Sequence, residues 1–153
     1  MKNLSAMLLF VSVLLFAAEN AFGQDLPSFR KKAEETVKTK NAAWKLIRKQ
    51  EREKEVTYLW GRDDNADVVL TIFYGNSEQE AADRMKATLN RLSVGPGKKR
   101  ADIGDEAYSW KSEPRGSGGI RFRKANVFIE VAASSSAVAE DPARSLAQEI
   151  QKQ

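Results

Sequence analysis

The sequence predicts an α+β fold: one antiparallel sheet of about five or six strands with helices packed on one face. Three observations carry this. Short β-rich runs, above all Asp67–Tyr74 (DVVLTIFY), are bounded by turn residues. Between the runs lies a segment with apolar residues at helical spacing and a capping signature. A two-residue turn at Ala125-Asn126 joins two of the runs, which makes them neighbours of opposite direction.

The chain has 153 residues and opens with MKNLSAMLLFVSVLLFAAENAFGQD. A Lys near the start precedes an apolar run from Ala6 to Ala18, and small residues stand at Ala21 and Gly23. This is the layout of a secretory signal peptide cleaved after Gly23. The run is too short to be a membrane anchor, and no later stretch is apolar enough to span a bilayer. The expected organisation is therefore a signal peptide at 1–23 and a single α+β domain at 24–153, exported to a periplasm or beyond.

From there each element has its own justification. Ser28 to Lys40 places Phe29, Ala33, Thr36 and Val37 on one face of a short helix. Trp44, Leu46 and Ile47 mark a first strand over Ala43–Arg48, and the charge run Arg48–Glu55 reads as a solvated turn. Val56, Tyr58 and Trp60 alternate in a second strand, with a turn cluster at Gly61–Asn65. Asp67–Tyr74 is apolar on both faces and belongs inside the sheet. Ser77 and Glu80 form a capping box for a helix whose stripe is Ala82, Met85, Leu89 and Leu92; Gly95-Pro96 ends it, and a basic loop, Gly97–Arg100, follows. The second half reads as a strand at Glu106–Lys111, a turn at Pro114–Gly119, strands at Ile120–Arg123 and Val127–Ala132, and a loop at Ser134–Asp141. Asp141-Pro142 then opens a last helix with Ala143, Leu146, Ala147 and Ile150 on its apolar face. Both halves run strands then helix, and Tyr58-x-Trp60 is echoed by Tyr108-x-Trp110. The pattern reads as a diverged internal duplication.

Composition excludes much chemistry. There is neither Cys nor His. Ser-His-Asp triads, Cys-His pairs, the usual zinc sites and haem ligation by His are all ruled out. Stability must come from packing without disulfides. The sequence points to no metal and no cofactor. Asp63, Asn65 and Asp67 alternate like the start of a calcium loop, but Val68 and Tyr74 stand where Gly and Glu are needed. Twenty-five Lys and Arg against 21 Asp and Glu leave a net charge of +4, and no nucleic-acid motif accompanies it.

Three sets of residues are candidates for function. Asp105 and Glu106 adjoin, but neighbours on a strand face opposite ways and cannot act as a pair. Asp105 reads as a turn cap; a carboxylate-based glycan hydrolase would instead need Asp102 or Asp105 to converge with Glu106 or another acid. Tyr58, Trp60, Tyr108 and Trp110 are either core or a stacking platform in which Trp60, Trp110 and Tyr108 line a groove. Arg121 and Arg123 share one strand face opposite Ile120 and Phe122, a stripe suited to phosphate or carboxylate groups of an envelope polymer. Gly116-Ser117-Gly118-Gly119 lacks the residues of a phosphate loop and reads as a flexible turn.

The segment IGDEAYSW (Ile103–Trp110), then IRFRKANVFIEV (Ile120–Val131) and a C-terminal helix, resembles small exported bacterial proteins that carry Gly-Asp-Glu-Ala-Tyr before a hairpin with an Arg-rich strand. More loosely, this last third resembles extracellular sensor domains of bacterial membrane kinases. The resemblance implies ligand sensing and carries over no catalytic residue. The reading that results is an exported, non-catalytic binding or sensor-like module for a small ligand or an anionic envelope component, with the glycan hydrolase as its rival.

Overall fold

The computed structural model describes residues 26–62, 65–90, 97–112 and 116–150. The signal peptide expected at 1–23, the helix stop at Gly95-Pro96, Leu92, Asp63 and Pro114 lie outside the described residues. The described chain is α+β, an open antiparallel sheet of seven strands with three helices. Helix α1 (Leu26–Lys40) leads into strands β1 (Lys45–Glu51), β2 (Glu55–Arg62) and β3 (Asn65–Tyr74). Helix α2 (Glu78–Asn90) follows, then β4 (Lys98–Arg100), β5 (Glu106–Ser112), β6 (Ser117–Lys124), β7 (Val127–Ala133) and α3 (Ser136–Glu149). The spatial order β1-β2-β3-β7-β6-β5-β4 sets two meanders side by side, joined where β3 pairs with β7.

Cross-strand partners share a face, so the register assigns every side chain. On one face, Tyr58, Leu70, Val131 and Ile120 lie in one row and Val56, Ile72, Ile129, Phe122 and Ala107 in the next. All of these are buried, in one cluster with Phe29, Ala33 and Val37 of α1 and Ala139, Ala143 and Leu146 of α3. The opposite face carries Phe73 and Phe128, which pack with Ala81, Met85 and Leu89 of α2 in a second, smaller cluster. The helices thus divide: α1 and α3 lie on the face expected to take them all, and α2 lies on the other. The reason is visible in β3 and β7, which alternate apolar residues on both sides and require cover on both.

Several boundaries move for local reasons. The basic Lys98–Arg100 segment is an edge strand, pairing with Ala107–Ser109, and not a loop. The charge run after Arg48 continues β1 to Glu51; every residue of β1 is exposed, because it is an edge strand of the sheet. The last helix starts at Ser136, not at Asp141-Pro142: Ser135 is its cap and its side chain accepts from the Val138 amide. Pro142 sits inside the helix and removes one backbone bond, a cost offset by the burial of Ala139, Pro142, Ala143 and Leu146. The capping box at α2 forms, with the Glu80 amide donating to Ser77 Oγ and the Glu80 carboxylate accepting from the Asn76 amide.

The two halves share their order of strands and helix, but the aromatic pairs do not superpose. Tyr58 shares a row with Ser109, whereas Tyr108 shares its row with Thr57, so the two pairs face opposite sides of the sheet.

Candidate functional site

The face under α2 is only part covered. Helix α2 touches β3, β6 and β7. Next along the strands come two rows: Thr57, Thr71, Glu130, Arg121 and Tyr108, the last packed against the α2 cluster, then Leu59, Val69, Ala132, Gly119 and Trp110. Most of these side chains are half-buried. Arg121 is the exception, at 1% exposure the one charged residue of the described core.

Trp110, Gly119, Arg121 and Glu130 build its surroundings. Trp110 on β5 stands directly across from Gly119 on β6. A Cβ at Gly119 would lie 2.8 Å from Trp110 Nε1, so only glycine lets the indole lie over the strand there. The ring then meets the next same-face residue, with the Arg121 guanidinium carbon 4.7 Å from the ring centroid. On its other side Arg121 pairs with Glu130 of β7, its Nε donating to the carboxylate at 2.7 Å. Burial pulls the guanidinium below its usual pKa, against the pull of Glu130; it remains a cation at neutral pH. One carboxylate cannot satisfy the whole fork. Arg121 Nη1 and Trp110 Nε1 are both buried and make no hydrogen bond.

The other sequence candidates are placed as follows. Trp60 is 1% exposed on the opposite face, stacked with Tyr58 at 5.0 Å between centroids; it is core. Tyr108 stays with Trp110 on the α2 side, its hydroxyl donating to Glu106. Arg123 shares the face of Arg121 but turns toward the hairpin end, donating to the Ala125 carbonyl and lying 3.6 Å from Asp105 and 3.7 Å from Glu78. The arginine pair is therefore no solvated stripe: one member is buried and the other sits among acids. Asp105 caps a turn, but not its own, since its carboxylate accepts from the Ala125 amide of the β6–β7 turn.

Asp102 lies between Arg100 and Arg144, with Glu140 completing a four-membered ion cluster. The two guanidiniums hold its carboxyl far below the usual range. Asp67 pairs with Arg62 and ends the calcium-loop pattern in a strand, and among the described residues no group of three potential metal ligands occurs. A shallow cavity of about 200 Å³ lies near the start of α3, lined by Lys111, Ser112, Gly116, Ser117, Ser135 and Ser136.

Two residues of the Arg121 site escaped the sequence reading. Glu130 was legible as the lone charge in VFIEVAA (Val127–Ala133). Gly119 was hidden by its context, because Gly116-Ser117-Gly118-Gly119 resembles a turn; β6 begins at Ser117, and both Gly118 and Gly119 are buried within it. No protein family, curated protein or solved structure matches the chain.

Proposed function

We propose that this protein is an exported, non-catalytic binding module that takes an anionic component of the cell envelope on the sheet face carrying Trp110 and Arg121. One observation carries the reading: a guanidinium buried to 1% exposure that keeps an unpaired N–H beneath an indole. A buried donor without an acceptor costs about 1–3 kcal/mol, which an oxyanion supplied by a ligand recovers. The export signal at 1–23 and the resemblance to sensor domains agree with this role.

The hydrolase reading finds less support. Asp102 is held by two arginines, Asp105 by a backbone amide, and Glu106 accepts from Tyr108. None of the three is poised as an acid or base.

The test is calorimetric titration of the mature protein with polygalacturonate and with polyphosphate, against a neutral glucan. Salt-sensitive binding of a polyanion, without cleavage and lost in Arg121→Met/Glu130→Leu, is expected. Failure to bind either polyanion contradicts the binding reading, and release of reducing ends would turn the assignment to a hydrolase.

A further inference from the structure

We propose that Arg121 Nη1 and Trp110 Nε1 together hold a single carboxylate of the ligand, and that Trp110 moves to admit it. This rests on the binding-module reading and names its ligand class.

Two donors without acceptors stand on neighbouring, stacked side chains of one sheet face. A neutral indole N–H and a cationic guanidinium N–H need acceptors and offer none. A group with two acceptor oxygens satisfies both at once. Charge selects which oxyanion. Arg121 is already opposed by Glu130, and Arg123, next on the same face, by Asp105 and Glu78. A phosphate monoester carrying up to two charges would enter among three carboxylates with little cation left over, and a phosphodiester, though singly charged, presents its oxygens tetrahedrally rather than in one plane. A planar, singly charged carboxylate meets less repulsion and matches the guanidinium fork.

Trp110 offers the way in. Arg121 is closed to solvent, while Trp110 is half-buried and rests on Gly119, two rows along the strands from Phe73 and Phe128, which pack with α2. The indole is the movable cover and, through Nε1, a ligating group. Ligand binding therefore changes the emission of one of the three tryptophans, since Trp44 and Trp60 belong to the core on the other face.

The experiment titrates trigalacturonate, maltotriose and a glycerol-phosphate oligomer into wild type, Trp110→Phe and Trp44→Phe, following both heat and tryptophan emission. Trp110→Phe keeps the ring and deletes the donor. The expected result is trigalacturonate binding by wild type, about tenfold weaker in Trp110→Phe from the lost hydrogen bond and unchanged in Trp44→Phe, with the emission change absent only in Trp110→Phe. Equal affinity in wild type and Trp110→Phe overturns the shared carboxylate while leaving the binding module standing. Preference for the glycerol-phosphate oligomer overturns the carboxylate assignment alone. No binding of either anion by wild type overturns this inference and the reading beneath it.

Discussion

The Asp105 carboxylate accepts a hydrogen bond from the Ala125 amide at 2.7 Å, while the Asp105 amide donates to the Arg123 carbonyl at 2.8 Å. This exchange explains the Gly-Asp-Glu-Ala-Tyr segment. Gly104 turns the chain at φ +62°, Asp105 clamps the neighbouring hairpin, and β5 begins at Glu106. The clamp is needed because Ala125 takes φ +49°, a conformation that side chains other than glycine resist. Asp105→Ala leaves a buried amide unpaired and should cost about 1–3 kcal/mol, several degrees of melting temperature for a domain of this size. Asp105→Asn keeps an acceptor and should lose less. Equal melting temperatures for wild type and Asp105→Ala would show that the clamp contributes nothing.

Arg121 and Glu130 form a half-open pair inside a mostly apolar sheet, so removing one partner strands the other. Arg121→Met alone should destabilise by about 3–5 kcal/mol, and adding Glu130→Leu should recover most of that. Denaturant melts of the two variants measure the difference. A double variant no more stable than the single would mean that Glu130 is not the cost.

Gly119 fixes the indole of Trp110. A methyl group there would stand 2.4 Å from the Val131 carbonyl oxygen and 2.8 Å from Nε1, so both the strand spacing and the indole must give. Gly119→Ala should shift tryptophan emission to the red, as that ring moves to water, and lower stability by about 1–3 kcal/mol. Unchanged emission would place the ring elsewhere.

The ion cluster makes an acid-dependent contribution. Arg100 and Arg144 lower the folded-state pKa of Asp102 and of Glu140 from ordinary values of 3.8 and 4.5. The unfolded chain therefore binds these protons first as pH falls. The stability from these groups is complete above those ordinary values and is lost as pH drops through the lower folded-state ones. Melting temperature followed from pH 5 to pH 2, about the window of carboxylate titration, should fall less steeply in Asp102→Asn/Glu140→Gln than in wild type. Parallel curves would remove the cluster from the acid response.

At the alkaline end the relevant group is Tyr58, whose phenol is pushed up to about 12 by burial, with Glu34 and Glu51 adding to it. Its folded-state pKa lies above the unfolded 10.0, so its contribution is complete below pH 10 and disappears toward pH 12. Tyr58→Phe should flatten that part of the stability curve, and the variant's tyrosinate absorbance should lose a component that titrates late in wild type. Identical alkaline absorbance and stability curves for wild type and Tyr58→Phe would contradict this.

Much of the fold was legible because it rests on period. The alternation of Val56, Tyr58 and Trp60, the two-sided run of β3 and the Ser77–Glu80 box each specify an element from adjacent residues alone. What period could not show was which elements meet. Whether α2 lies with α1 or against them depends on the pairing of β3 with β7, more than fifty residues apart. Asp141-Pro142 resembles a helix start, yet Ser135 competes for the cap and captures an extra turn of helix. The site was half legible for the same reason. Arg121 and Trp110 stand out by type, but their contact depends on Gly119, whose role lies in the side chain it lacks. The Tyr58 and Trp60 pair, identical in spacing to Tyr108 and Trp110, lies on the other face and serves the core.

Anion binding at Arg121 is read out by a crystal structure of the protein with trigalacturonate. A carboxylate oxygen is expected within about 2.7–3.2 Å of Arg121 Nη1, with the indole of Trp110 moved from its place over Gly119. A sugar acid bound elsewhere, with a water molecule on Arg121 and the indole unmoved, would contradict it.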